Sequence, residues 1–205
     1  IFHYVPEQKP SEEGIQVGVI PEKRFEKLWS EDGCLMVLLG PTDIISSLKP
    51  DENKTKSNRL CFESERLSIQ KQTEETINSL KKAVELNPNN STALCLLGGV
   101  LNEQNNPDCV SYYEKSLEKN KNCYLAYRGL GNFYLKNQQF DKSEKNYTHA
   151  IEINDNRFGP IYKNRGYVRQ QQSKMDQAKE DYQNYIKFTP NAKDRGMIER
   201  ALNEM

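Results

Sequence analysis

The sequence predicts an all-α fold: a helical solenoid of stacked helix pairs (an α-α superhelix) with a non-repeating N-terminal arm. Three observations carry this. Segments of the chain align on one another with a period in the thirties, the signature of a solenoid. Within each copy the apolar residues fall on two helical faces separated by a short polar turn. Proline recurs where a second helix must end, at Pro88 and Pro190, because it cannot continue the hydrogen-bond ladder.

Taken in order, residues 1–56 lack the period and are expected to form an arm that packs on the solenoid. Within the arm, residues 21–31 read as a short amphipathic helix with Phe25, Leu28 and Trp29 on one face, and residues 34–39 as a strand or a buried turn. Residues 50–58 are polar and turn-forming and read as a linker or exposed loop. Residues 57–90 read as a degenerate copy, its first helix expected over 57–69 and its second placing Leu80, Ala83 and Pro88 in register. Residues 91–123 form the next copy, with Leu94, Leu97, Gly98, Tyr113 and Ser116. The clearest copy is 124–157, where Tyr127, Leu130, Gly131, Tyr134, Ser143, Tyr147 and Ala150 mark two apolar faces; residues 158–192 repeat it with Tyr162, Gly166, Ala178, Tyr182 and Tyr185. A glycine near the middle of a first helix lets its partner approach closely, and flanking aromatics fill the space between them. Residues 193–205 suit a C-terminal capping helix, which a solenoid needs to cover its last apolar face.

The residues Tyr127, Leu130, Gly131 and Tyr134, then Ser143, Tyr147 and Ala150, with Pro190 closing the following copy, make the chain resemble the tetratricopeptide repeat family over about residues 57–190. Departures from the family pattern are Cys109 or Val110 near the usual alanine, Asp155 in place of a closing proline, and Arg165 where leucine is usual. The resemblance implies a scaffold that binds a partner peptide or helix in a concave groove lined by the first helices. The groove positions are then Leu125, Arg128, Asn132 and Leu135, followed by Lys163, Asn164, Tyr167 and Gln170, and in the earlier copy Thr92, Cys95, Gly99 and Asn102. Arg128 and Asn132, four apart, share a face and are expected to approach Lys163 and Asn164. Arg128, Asn132 and Asn164 also resemble part of the carboxylate clamp of chaperone-binding members of the family, although Asp194 and Ile198 take the basic positions of the third clamp repeat. The implied partner is a protein or peptide, possible acidic character following from the basic, amide-rich groove, and a co-chaperone-like adaptor is one form of this reading. The alternatives are an RNA-binding helical-repeat protein, or the repeat part of a larger enzyme or assembly.

Composition narrows the classes further. Of 205 residues, 29 are basic and 29 acidic, so no global field draws the chain to nucleic acid or to a membrane surface. An RNA reading draws on the eleven tyrosines but lacks the concentrated basic stripe that phosphate binding needs. Histidine occurs only at His3 and His149, which leaves neither a nucleophile–base pair nor a paired metal spacing, so no catalytic residue, metal or cofactor is expected. Glu114, Glu144 and Glu180 are expected on solvated outer faces, and His149 toward solvent. The five cysteines, Cys34, Cys61, Cys95, Cys109 and Cys123, are odd in number and scattered, which suits packed, reduced thiols in a cytoplasmic compartment. Asn53, Asn90 and Asn146 begin N-x-Ser/Thr triplets of the kind common in any asparagine-rich chain. The chain starts at Ile1 and is expected to be a fragment or a processed form, and its longest apolar run is far shorter than the roughly 20 residues that span a bilayer.

Overall fold

The computed structural model describes residues 51–154 and 159–204. Among them every regular element is an α-helix: α1 (Glu52–Ile69), α2 (Thr73–Leu86), α3 (Ser91–Glu103), α4 (Cys109–Lys119), α5 (Tyr124–Lys136), α6 (Phe140–Ile153), α7 (Gly159–Gln171), α8 (Met175–Phe188) and α9 (Arg195–Glu204). The helices pair as α1/α2, α3/α4, α5/α6 and α7/α8, and the first helix of each pair also touches the first helix of the next, which makes the solenoid. The expected helix over 21–31 and the segment 34–39 lie outside the described residues.

The four turns inside the pairs share one geometry. Lys71, Asn105, Gln138 and Ser173 adopt φ of 60°, 57°, 55° and 61°. The residue after each donates back across the helix end: Gln72 to Leu67, Asn106 to Leu101, Gln139 to Tyr134 and Lys174 to Arg169, at 3.0, 2.9, 2.8 and 2.9 Å. These are Schellman caps, which satisfy the last carbonyls of the first helix while the left-handed residue reverses the chain. Glycine is the residue that usually marks such a cap; here none of the four is glycine, so the regularity is invisible in composition and plain in the backbone.

The polar stretch 50–58, read as a loop, is helical from Glu52 onward. Asp51 caps the helix by accepting from the Lys54 amide at 3.0 Å, and Lys56 pairs with Glu52 at 3.1 Å one turn away. The core side of this helix is small and polar rather than apolar, which is why periodicity missed it. Fully buried Ser57 donates to the Ala83 carbonyl of α2 at 2.7 Å, and Asn90, the N-cap of α3, donates to Ser57 Oγ at 2.8 Å and to Asn58 Oδ1 at 2.9 Å. A buried polar group is tolerated only when so partnered.

Glycine and tyrosine interlock in the next three pairs. A Cβ on Gly98 would lie 2.9 Å from the Tyr113 ring, one on Gly131 2.6 Å from the Tyr147 ring, and one on Gly166 3.0 Å from the Tyr182 ring. Each tyrosine of a second helix therefore lies flat against the bare backbone of its first helix. Gly129 adds a further seat, since Tyr113 reaches across to the following repeat and a Cβ there would be 2.2 Å from its ring. At the far end α9 sets Ile198 and Leu202 over the last apolar surface, against the cluster holding Tyr182 and Tyr185.

A buried charge network joins α6, α7 and α8. Asp181, fully buried, accepts Arg165 through two bonds of 3.0 and 2.7 Å and Arg169 at 3.0 Å. Arg169 continues to Glu144 at 2.9 Å, and Lys174 closes on the same carboxylate at 2.6 Å. Arg165, a departure from the usual leucine, is thus the partner that a buried aspartate requires. Glu144 is correspondingly not a solvated outer charge: its side chain is 15% exposed. Burial pushes its carboxyl up, but the bonds from Lys174 and Arg169 outweigh this and hold it below the usual range. Glu114 and Glu180 are exposed as expected, and His149 is half-exposed beside Glu152 and the Tyr127 ring.

Candidate partner-binding groove

The layer of first helices leaves a groove on its open side. A cavity of about 450 Å³ lies there, lined by α3 and α5 and by Ser68 of α1. Leu125, Arg128, Asn132 and Leu135 all line it, together with Cys95, Gly99 and Asn102 of the earlier repeat. The structure therefore brings seven of the twelve anticipated positions into one cavity, whose lining also includes Leu96 and Val100.

The amides on the groove floor have a structural duty. Tyr147 donates from its hydroxyl to Asn132 Oδ1 at 2.6 Å, and Tyr182 to Gln170 Oε1 at 2.9 Å. Both of these tyrosines, each lying on a glycine, thus meet an amide of their first helix, because a buried phenol needs a partner. Burial pushes the phenols of Tyr113, Tyr147 and Tyr182 up, the last to about 12. The sequence signal for this arrangement was present in the spacing of Tyr113, Tyr147 and Tyr182, but apolar periodicity says nothing of a hydroxyl's destination.

Two positions offered as ligand-facing are in fact buried. Cys95 is 7% and Asn102 5% exposed. Asn102 donates to the Gly129 carbonyl at 3.1 Å, a reach made possible by the missing side chain at Gly129, and its own carbonyl receives Lys136 at 2.9 Å. Asn132 and Asn164 do meet, Nδ2 of the second donating to Oδ1 of the first at 3.3 Å. Lys163 turns elsewhere. Its ammonium bonds Asp194 at 2.8 Å and lies over the Tyr185 ring at 5.3 Å, while Tyr185 also donates to the same carboxylate. The Lys163 bond holds the Asp194 carboxyl below its usual range. Gln170 is taken by Tyr182, and Tyr167 is 47% exposed. The groove therefore has one half that holds the cavity and another in which Lys163 and Gln170 are engaged by the chain itself. Buried Tyr113, Tyr147, Tyr162, Tyr182 and Tyr185 have no free face on which a base could stack.

Comparison with known proteins agrees with this architecture. The tetratricopeptide repeat family matches residues 126–157, the copy whose pattern is clearest. The solved structure of PilF from Pseudomonas aeruginosa superposes with a TM-score of 0.69 at 18% identity, over 75% of this chain and 70% of that one. MamA from Desulfovibrio magneticus superposes with a TM-score of 0.61 at 17% identity, over 73% of this chain and 86% of that one. An uncharacterized protein from Haemophilus influenzae is 28% identical over 82 residues, 40% of this chain; the chain spans less than half, 45%, of that relative's length. Helix pairs stacked in this way form a solenoid whose first helices line an extended groove. Residues 126–157 thus carry the match to the tetratricopeptide repeat family, and the described helices share an all-α helical-repeat fold with these structures.

Proposed function

We propose that the chain holds a partner peptide or helix in the half of the groove that holds the cavity, and prefers an acidic one. The observation that carries this is the cavity itself, in which the Arg128 guanidinium and the Asn132 amide stand among Leu96, Val100, Leu125 and Leu135. A guanidinium offers a planar fork of donors that suits a carboxylate, and the leucines and valine supply apolar contact beside it. The chain acts as a non-enzymatic adaptor, and the buried free thiols of Cys61, Cys95, Cys109 and Cys123 suit a cytoplasmic setting. No helix among the described residues is long and apolar enough to cross a membrane. The working division keeps repeats over 57–90, 91–123, 124–157 and 158–192 and a cap over 193–205, with the first repeat extended back from 57 to the start of α1 at Glu52 and the arm preceding it.

The test is an array of peptides matched in apolar content and differing in charge. Acidic peptides are expected to bind preferentially, more weakly as salt is raised, because exposed charge is screened over about 8 Å at physiological ionic strength. Arg128→Ala should weaken the best binder by roughly ten- to a hundredfold, the range of a lost hydrogen bond to a charged group. Lys163→Ala should leave affinity nearly unchanged, since Lys163 is already paired with Asp194. An array with no preference for acidic peptides, or an Arg128→Ala variant that binds like wild type, would overturn the proposal.

A further inference from the structure

We propose that Gly99 is a specificity-determining residue of the groove, a patch of bare backbone that seats one aromatic side chain of an acidic peptide. This seat rests on the reading that such a peptide binds beside Arg128, so that a residue close to its acid reaches Gly99. The observation is a glycine that the chain's own packing does not require. Gly98, Gly129, Gly131 and Gly166 lie under tyrosine rings, and a Cβ on any of them would come no more than 3.0 Å from a ring atom. A Cβ on Gly99 would meet nothing nearer than the Tyr113 hydroxyl at 3.9 Å. Glycine weakens a helix interior relative to alanine, and within the fold nothing at this point of α3 offsets that.

The bare patch opens on the groove. Gly99 lines the cavity of about 450 Å³, a volume in the range of ligand pockets. Leu96 and Val100 flank it on α3, and Leu125 and Leu135 line the same cavity from α5. Each of these four is only half-buried, so apolar surface remains uncovered at the cavity wall. Arg128 lines the cavity too, which joins a guanidinium to an apolar-walled stretch of bare backbone.

The chain itself shows what such a patch accepts. Tyr113 on Gly98, Tyr147 on Gly131 and Tyr182 on Gly166 each lay a ring on a first helix where the Cβ is missing. The same contact stands open at Gly99, on the groove side. A flat ring meets bare backbone over its whole face, brings a large apolar area, and loses little rotamer freedom on binding. Aromatic anchors in desolvated pockets carry much of the binding energy at protein interfaces. A carboxylate beside the ring pairs with Arg128 through the fork of guanidinium donors. Charge and shape together specify one partner: a peptide that carries an aromatic residue close to an acidic one.

The experiment uses the whole chain and the acidic members of the peptide array, resynthesised with alanine, leucine, phenylalanine or tryptophan at each position in turn. At one position the aromatic peptides are expected to bind about tenfold or more tighter than the alanine peptide, with leucine between them. Gly99→Leu fills the seat with the chain's own carbons and should remove that advantage, so that aromatic and alanine peptides bind it alike. Gly99→Ala, whose added carbon has open space, should fold like wild type and reduce the advantage severalfold; it decides the matter if Gly99→Leu loses helicity by circular dichroism. Glu180→Ala, on an exposed position outside the cavity lining, should leave every affinity unchanged. The ring's position is read directly by methyl NMR: resonances of Leu96, Val100 and Leu125 should shift upfield with the phenylalanine peptide and not with the leucine one. Acidic preference without aromatic preference would leave the groove reading standing and overturn this one, whereas absence of binding by every acidic peptide would remove both. An aromatic advantage that survives unchanged in Gly99→Leu and Gly99→Ala, or that comes without the methyl shifts, would place the ring elsewhere and overturn the proposal.

Discussion

Replacing Asp181 with alanine is expected to loosen the C-terminal half of the solenoid while the N-terminal half stays ordered. Asp181 is fully buried, and it is the carboxylate that both Arg165 and Arg169 share, through bonds of 2.7 to 3.0 Å. Their side chains are only 11% and 14% exposed. Removing the aspartate leaves two guanidinium groups out of water with Glu144 as the remaining carboxylate of the network, and Glu144 already serves Lys174. Breaking a buried pair by deleting one partner costs about 3–5 kcal/mol. Glu180→Ala, at the neighbouring exposed position, should stay within about 0.5 kcal/mol of wild type. Because each repeat is stabilised by its own packing and by its nearest neighbours, the loss should be local. Hydrogen exchange should accelerate across α7, α8 and α9 and stay slow in α3. Equal denaturation midpoints for the two variants would show that the network carries no stability. Acid should act in the same direction. Glu144 titrates below its unfolded value, so its contribution is present above that value and is lost as pH falls through the folded one.

The period and the placement of helices over 91–190 were legible because apolar stripes and small residues write the helix–helix contacts directly. Gly98, Gly131 and Gly166 were readable as points of close approach, and each proves to lie under a tyrosine ring. Two features were written in residues that propensity treats as neutral or contrary. The first half of α1 is held by Asp51, Ser57 and Asn90, polar residues whose role depends on partners up to 33 positions away. The Schellman caps sit on lysine, asparagine, glutamine and serine, where glycine would have announced them. For the groove, spacing along one helix placed Leu125, Arg128, Asn132 and Leu135 together, since residues four apart share a face. It could not say that Lys163 would turn to Asp194, or that the amides would serve tyrosine hydroxyls, because both depend on which side chains the neighbouring helices bring.

Gly131→Leu should be destabilising in a way that traces to one ring. A Cβ at this position would lie 2.6 Å from two carbons of Tyr147, nearer than real Cβ contacts come, and leucine adds three further carbons in the same direction. The ring has little freedom to retreat. Tyr147 is fully buried, and its hydroxyl is bonded to Asn132 at 2.6 Å, so any shift that admits the leucine also strains that bond. Ser143, on the same face of α6, donates to the Gly131 carbonyl at 2.9 Å and ties the two backbones at the point of contact. Overpacking of this kind costs about 1–3 kcal/mol, and the lost hydrogen bond about 1 kcal/mol more. Gly99→Ala is the opposite case. Its Cβ would meet nothing closer than the Tyr113 hydroxyl at 3.9 Å, and alanine is the better helix former by roughly 0.5–1 kcal/mol, so this variant should be neutral or more stable. A double-mutant cycle then isolates the contact. Tyr147→Ala alone should cost about 3–5 kcal/mol as a large-to-small core change, while in the Gly131→Leu background it also removes the clash, so the two effects should fall short of their sum by about 1 kcal/mol or more. Urea denaturation of the four proteins measures this directly. Strict additivity, or a Gly131→Leu midpoint no lower than that of Gly99→Ala, would mean that α5 and α6 do not meet at Gly131 and Tyr147.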